Sequence, residues 1–156
     1  MARRSKQQIK EDNDKRLKNK EKILDRLNTH LNEVSRLSKE DRNKVDEFIN
    51  LFLKCETVYK TLYPAMKKLK DDEQIDVRGL TFNIQKFEAA LRYFGISFDH
   101  DKMNKMFYST KSYLTYRDRI IHGLDMSSIN EVLSNYEDME ATMKELLDNV
   151  ANGKPE

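Results

Sequence analysis

From 45 to 69, the apolar residues Val45, Phe48, Phe52, Cys55, Tyr59, Leu62, Met66 and Leu69 recur every three or four positions. That spacing puts one continuous apolar stripe along an α-helix. A helix with such a stripe must bury it, so the rest of the chain has to supply matching faces. Other segments repeat the pattern. Ile23, Leu27, Leu31, Val34 and Leu37 predict a first helix, and Ser38 with Asp41 three residues on predicts the cap of the second. Pro64 is expected to kink that second helix near Tyr63, because proline removes a hydrogen bond from the helix interior.

The segment DDEQIDVRGL at 71–80 reads as a connector. A third helix is expected from about Thr81, burying Phe82, Phe87, Leu91 and Phe94 and stopped by Gly95. Asp99 then caps a fourth helix running to about Gly123. Ser128 with Glu131 reads as a capping box for a last helix carrying Ile129, Val132, Tyr136, Met139, Met143, Leu146 and Val150. With only four Gly and two Pro, and with no period-two run or hairpin dipeptide, strands are not expected. The expected fold is all-α, an up-and-down bundle of four to five helices over 23–150. A basic N-terminal arm at 1–22, helical or disordered, precedes it, and a short tail at 151–156 follows.

Composition narrows the setting. No run approaches the roughly 20 apolar residues of a membrane-spanning helix, and the basic start MARRSKQQIKEDN lacks the apolar core of a secretory signal. One cysteine, Cys55, cannot form an internal disulfide, and its place in the stripe makes it a small core residue. A soluble, reduced, cytoplasmic protein is the expectation. The net charge of +2 hides a split. Residues 1–22 hold nine bases and four acids, which is +5, so 23–156 sum to −3. A second basic island at 102–123 has Lys102, Lys105, Lys111, Arg117 and Arg119 against Asp118 alone, with Tyr108, Tyr113 and Tyr116 interleaved. Such an island in an acidic body points to a site, with Lys102, Lys105, Lys111 and Tyr116 as candidate contacts, the tyrosine by stacking, although core packing is the commoner role for aromatics at this spacing.

Within that island, residues 117–123 read RDRIIHG. Arg117 and His122, four residues between them, are the combination most like a reaction centre. At about 100° per residue, Met103, Met106, Thr110, Tyr113, Ile120, Ile121 and Leu124 share the side of Arg117. A guanidinium inside an apolar stripe needs a partner, whether Asp118, an acid from another helix, or a groove at the rim. His122 lies five residues on, about 140° around the same helix. The two side chains of one straight helix diverge, so they share a substrate only through a distortion near Gly123 or through a second copy. His30 falls in the charged first helix and His100 beside the cap Asp99, so both read as surface residues, and CxxC and HExxH metal motifs are absent.

The segment resembles the Arg-x4–6-His signature of the HEPN family (higher eukaryotes and prokaryotes nucleotide-binding domain). It matches in the polar residue after the arginine (Asp118), the apolar pair before the histidine (Ile120, Ile121) and the position ahead of the final helix. Over 23–150 the resemblance is at the level of fold. It implies a metal-independent endoribonuclease, often a toxin or antiviral effector, working without a cofactor as a homodimer with both motifs at the interface. An antitoxin or other regulatory protein is an implied partner alongside RNA. Two positions depart from the family. Asp118 stands where the family usually has Asn, and Leu124 stands where one toxin branch carries a tyrosine whose modification silences it.

The residue types suit such chemistry. Cleaving RNA without a metal needs a base for the 2′-hydroxyl, an acid for the 5′-oxygen and a cation for the crowded phosphorane. An imidazole exchanges protons near neutral pH, and a guanidinium presents a fork matched to phosphate oxygens. His122 is thus the candidate general acid/base and Arg117 the candidate phosphate clamp. Asp118 is placed to orient Arg117, and Arg119 to hold a neighbouring phosphate. The competing readings are a non-catalytic helical module that pairs with itself or another protein, and a basic-armed nucleic-acid binder.

Overall fold

Seven α-helices and one 3₁₀ turn make up the secondary structure of the computed structural model, which describes residues 3–155. No strand occurs among the described residues. The all-α bundle class agrees with the sequence, but the helix count is seven rather than four or five. The chain divides into two units, Met1–Ser38 and Lys39–Glu156. The sequence reading drew its line after residue 22.

The first unit is one helix, α1 (Lys6–Ser35), so the basic arm is helical and continues without interruption past residue 22. Ser5 and Gln8 form its capping box: Ser5 Oγ accepts from the Gln8 N–H at 3.1 Å, and Gln8 Oε1 accepts from the Ser5 N–H at 2.9 Å. None of its residues is buried.

In the second unit the long helix α2 (Lys39–Asp71) is central, packing against α3 (Ile84–Tyr93), α5 (Tyr113–Gly123), α6 (Met126–Ser134) and α7 (Tyr136–Ala151). The helix α4 (His100–Phe107) packs on α3 and α5. The predicted stripe of α2 is the core: Val45, Phe48, Leu51, Phe52, Cys55, Tyr59, Tyr63 and Met66 are buried. Toward the C-terminus Tyr63 replaces Leu62 on the buried face, and Leu69 is exposed. Helix α2 continues past Pro64 to Asp71, so the proline does not end it. Phe107 stacks on Phe82 with ring centroids 3.7 Å apart and approaches Phe52 at 5.5 Å, tying α4 and the start of α3 to α2.

Local capping chemistry accounts for the extra helices. The third helix starts at Ile84, not Thr81, because Asn83 caps it, its side chain accepting from the Lys86 N–H at 2.9 Å. The expected single helix from Asp99 to Gly123 is two. Tyr108 leaves helical geometry, Ser109 takes φ 83°, and Ser112 starts α5 by accepting from the Thr115 N–H. The expected capping box of Ser128 and Glu131 does not form. Asp125 caps α6 instead, accepting from both the N–H and the hydroxyl of Ser128, and Ser128 is buried inside that helix. Asn135 alone separates α6 from α7.

Gly95 ends the third helix as expected. Its φ is +68°, and the Ile96 N–H reaches back to the Leu91 carbonyl at 2.9 Å. A Cβ at Gly95 would also collide with the Lys154 carbonyl of the C-terminal segment. Gly95→Ala is expected to cost about 1–2 kcal/mol from the left-handed backbone alone. The collision adds to that, and thermal unfolding measures the sum.

Cys55 is fully buried and its thiol donates toward the Met143 carbonyl at 3.8 Å. Burial pushes the thiol from an ordinary 9.0 up to about 12. The raised value means that the unfolded chain ionises first. Stability from this group is therefore complete below pH 9 and is lost as pH rises toward about 12. Native protein at neutral pH is expected to resist Ellman's reagent, labelling only at the rate at which it unfolds.

Candidate functional site

Helix α5 carries the RDRIIHG segment, and its register decides where each polar residue lies. Tyr113, Tyr116 and Ile120 form its buried face, with Arg117 beside them. The Arg117 side chain is 14% exposed and lies over the ring of Phe52, 5.0 Å from guanidinium carbon to centroid. Phe52 and Glu56 are one turn apart on α2, so the same stretch supplies the floor and the partner. Glu56 takes the guanidinium in a fork: Nη2 donates to Oε1 at 3.3 Å and Nη1 lies 3.3 Å from Oε2. Arg117 Nε lies 2.9 Å from Asp118 Oδ1 but directs no hydrogen bond at it, so that contact is an ion pair only. Lys60 Nζ, 3.5 Å from Glu56 Oε1, completes a neutral group of two acids and two bases.

The sequence left three options for Arg117, and the structure takes two of them together, Asp118 and an acid from another helix. Glu56 itself was missed. Its signal was its place one turn after Phe52, at the edge of the α2 stripe, but nothing in the sequence pairs α2 with α5.

His122 is exposed in the last turn of α5, and Arg119 is exposed one turn before it. The helix is regular from Tyr113 through Gly123, so Arg117 and His122 stand about 140° apart around it. No distortion near Gly123 brings them together within one chain. The helix ends on Leu124 at φ 48°, with the Leu124 N–H on the Ile120 carbonyl and the Asp125 N–H on the Arg119 carbonyl. The break at 108–112 also overturns the single apolar face drawn through 103–124: Met103, Met106, Tyr113 and Ile120 are buried, whereas Thr110, Ile121 and Leu124 are exposed.

The basic island is only partly assembled. Lys102 is bound to Glu145 of α7 at 2.5 Å and lines a shallow pocket of about 450 Å³ with Asp138, Lys144 and Asp148. Lys105 and Lys111 are exposed. Tyr116 is 8% exposed, so its ring belongs to the core and offers no face to a base, which corrects the sequence reading. Tyr108 is 68% exposed. His100 Nδ1 lies 2.8 Å from Glu88 Oε1, and His100 Nε2 lies 3.3 Å from Asn104 Nδ2. Among the described residues no group of three His, Cys, Asp or Glu side chains is placed to hold a metal ion, and no helix is long and apolar enough to cross a membrane.

These features define an all-helical bundle with a part-buried arginine–carboxylate pair between α5 and α2 and an exposed histidine on α5. No family model matches the chain, and no curated protein or solved structure does either.

Proposed function

We propose that the chain cleaves RNA without a metal, as an HEPN-type endoribonuclease acting as a homodimer. The observation that carries this reading is the layout of α5, with Arg117, Arg119 and His122 on one unbroken helix and His122 and Arg119 open to solvent at its end. His122 removes the proton of a 2′-hydroxyl, and the 2′-oxygen attacks the adjacent phosphorus. The bond to the 5′-oxygen breaks, and that oxygen leaves with a proton from His122 of a second copy. The products are a 2′,3′-cyclic phosphate and a free 5′-hydroxyl. Arg117, diverging from His122 on its own helix, serves the site across the twofold axis. Glu56 occupies the fork that a phosphate needs, so RNA has to displace a carboxylate. The toxin or antiviral setting and a regulatory partner protein belong to this proposal through the family resemblance, and the cytoplasmic location through the composition.

One observation favours a second reading, a non-catalytic helical binding module. Both terminal nitrogens of Arg117 are already engaged by Glu56, which is how a structural arginine is held.

Incubating the protein with total RNA in excess chelator separates the two. Cleavage is expected to yield 2′,3′-cyclic phosphate ends and to fall about 10²–10⁴-fold in His122→Ala. Intact RNA under these conditions selects the binding module.

A further inference from the structure

Helix α1 concentrates exposed apolar side chains. Ile9, Leu17, Ile23, Leu24, Leu27 and Leu31 are each 44–63% exposed, and no residue of the helix is buried. Leu17, Leu24 and Leu31 are seven residues apart, with Leu27 and Val34 between and after them, which is the spacing of a coiled-coil seam. At about 1.5 Å per residue, the seam over 17–34 is about 27 Å long.

We propose that this seam closes on a second copy of the same chain, with the two α1 helices antiparallel. The orientation follows from charge. Residues 1–22 carry +5, whereas 23–38 carry two acids (Asp25, Glu33) and two bases (Arg26, Arg36) and are neutral. A parallel pair sets one +5 segment beside the other and places Lys20 against Lys20 in the seam. The antiparallel pair sets each basic segment beside the partner's neutral one. The apolar pattern is also self-complementary when reversed. Leu17 meets Val34 of the second copy, Leu24 meets Leu27, and Lys20 meets Leu31, along which its alkyl stem lies with the ammonium in water. Such a contact uses one patch twice and closes at two chains. The proposal does not depend on the RNA-cleavage reading, because it involves no residue of α5.

Sedimentation of the full chain at micromolar concentration tests it. The expected mass is twice the 18.6 kDa of one chain. Leu24→Asp with Leu27→Asp is expected to raise the concentration at which that dimer dissociates by about tenfold or more. The near-ultraviolet tyrosine spectrum should stay the same in that variant, since α1 contains no tyrosine. Orientation is read by oxidation: an equimolar mixture of Leu17→Cys and Val34→Cys chains is expected to form a covalent heterodimer. Leu17→Cys alone is expected to form none. The native Cys55 is buried and does not compete. A monomeric wild type, a dimer whose dissociation is unchanged by the double substitution, or cross-linking of Leu17→Cys with itself overturns the proposal.

Discussion

Arg117→Ala and Glu56→Ala are each expected to destabilise the second unit by about 1.5–3 kcal/mol, since each removes a charged fork, while Lys60 still faces Glu56 and Asp118 still faces Arg117. The side chains are 14% and 18% exposed, so solvent compensates only in part. Restoring the partner's neutrality separates structure from chemistry. Arg117→Met combined with Glu56→Leu keeps the volume and removes both charges, and it is expected to return stability to within about 1 kcal/mol of the wild type. Under the nuclease reading the double variant is folded and inactive. Glu56→Gln adds a further distinction. It keeps the shape of the fork but removes the charge that competes with phosphate, so RNA cleavage is expected to rise severalfold while stability falls. A helical module without RNA chemistry shows the loss of stability alone. Urea unfolding midpoints, read beside the chelator-treated RNA assay, supply both quantities.

Phe52→Ala is expected to have an effect of at least that size. Phe52 is fully buried, contacts Phe48 and Phe107, and forms the surface on which the Arg117 guanidinium lies. Removing the ring leaves a cavity where α2 meets α4 and α5, at a cost of about 3–5 kcal/mol. For a unit of this size that lowers the melting temperature by roughly 10 °C or more. Phe52→Leu retains much of the volume and is expected to lose markedly less. A thermal midpoint unchanged in Phe52→Ala contradicts the packing described for this helix.

The extent to which the fold was legible follows from what periodicity reports. The stripe of α2 gave the helix, because a 33-residue amphipathic pattern has few competing explanations, and six of its eight buried residues, missing Leu51 and Tyr63. Breaks between helices were harder to read. Ser109 and Ser112 separate α4 from α5 through one positive φ and one side-chain cap, and neither interrupts the apolar count. At the start of α6 the expected cap was Ser128, but Asp125, three residues earlier, caps the helix by holding Ser128 through two hydrogen bonds. In the site, the need of Arg117 for an acid was readable from its apolar neighbours. That the acid is Glu56 was not, because the pairing crosses 61 residues of chain and depends on how α2 and α5 pack. For Tyr116 the sequence left a stacking role beside the commoner core role, and the frame of α5 decides for the core.

The interruption at 108–112 also affects how this region tolerates changes in chain length. In one continuous helix every inserted residue turns all later side chains by about 100°. Here α5 takes its frame from Ser112 and from its packing on α2, so a residue gained or lost at Thr110 or Lys111 leaves the Arg117 guanidinium over Phe52. The lysines of α4 and the arginines of α5 are free to drift in spacing along the chain while each helix keeps its own orientation.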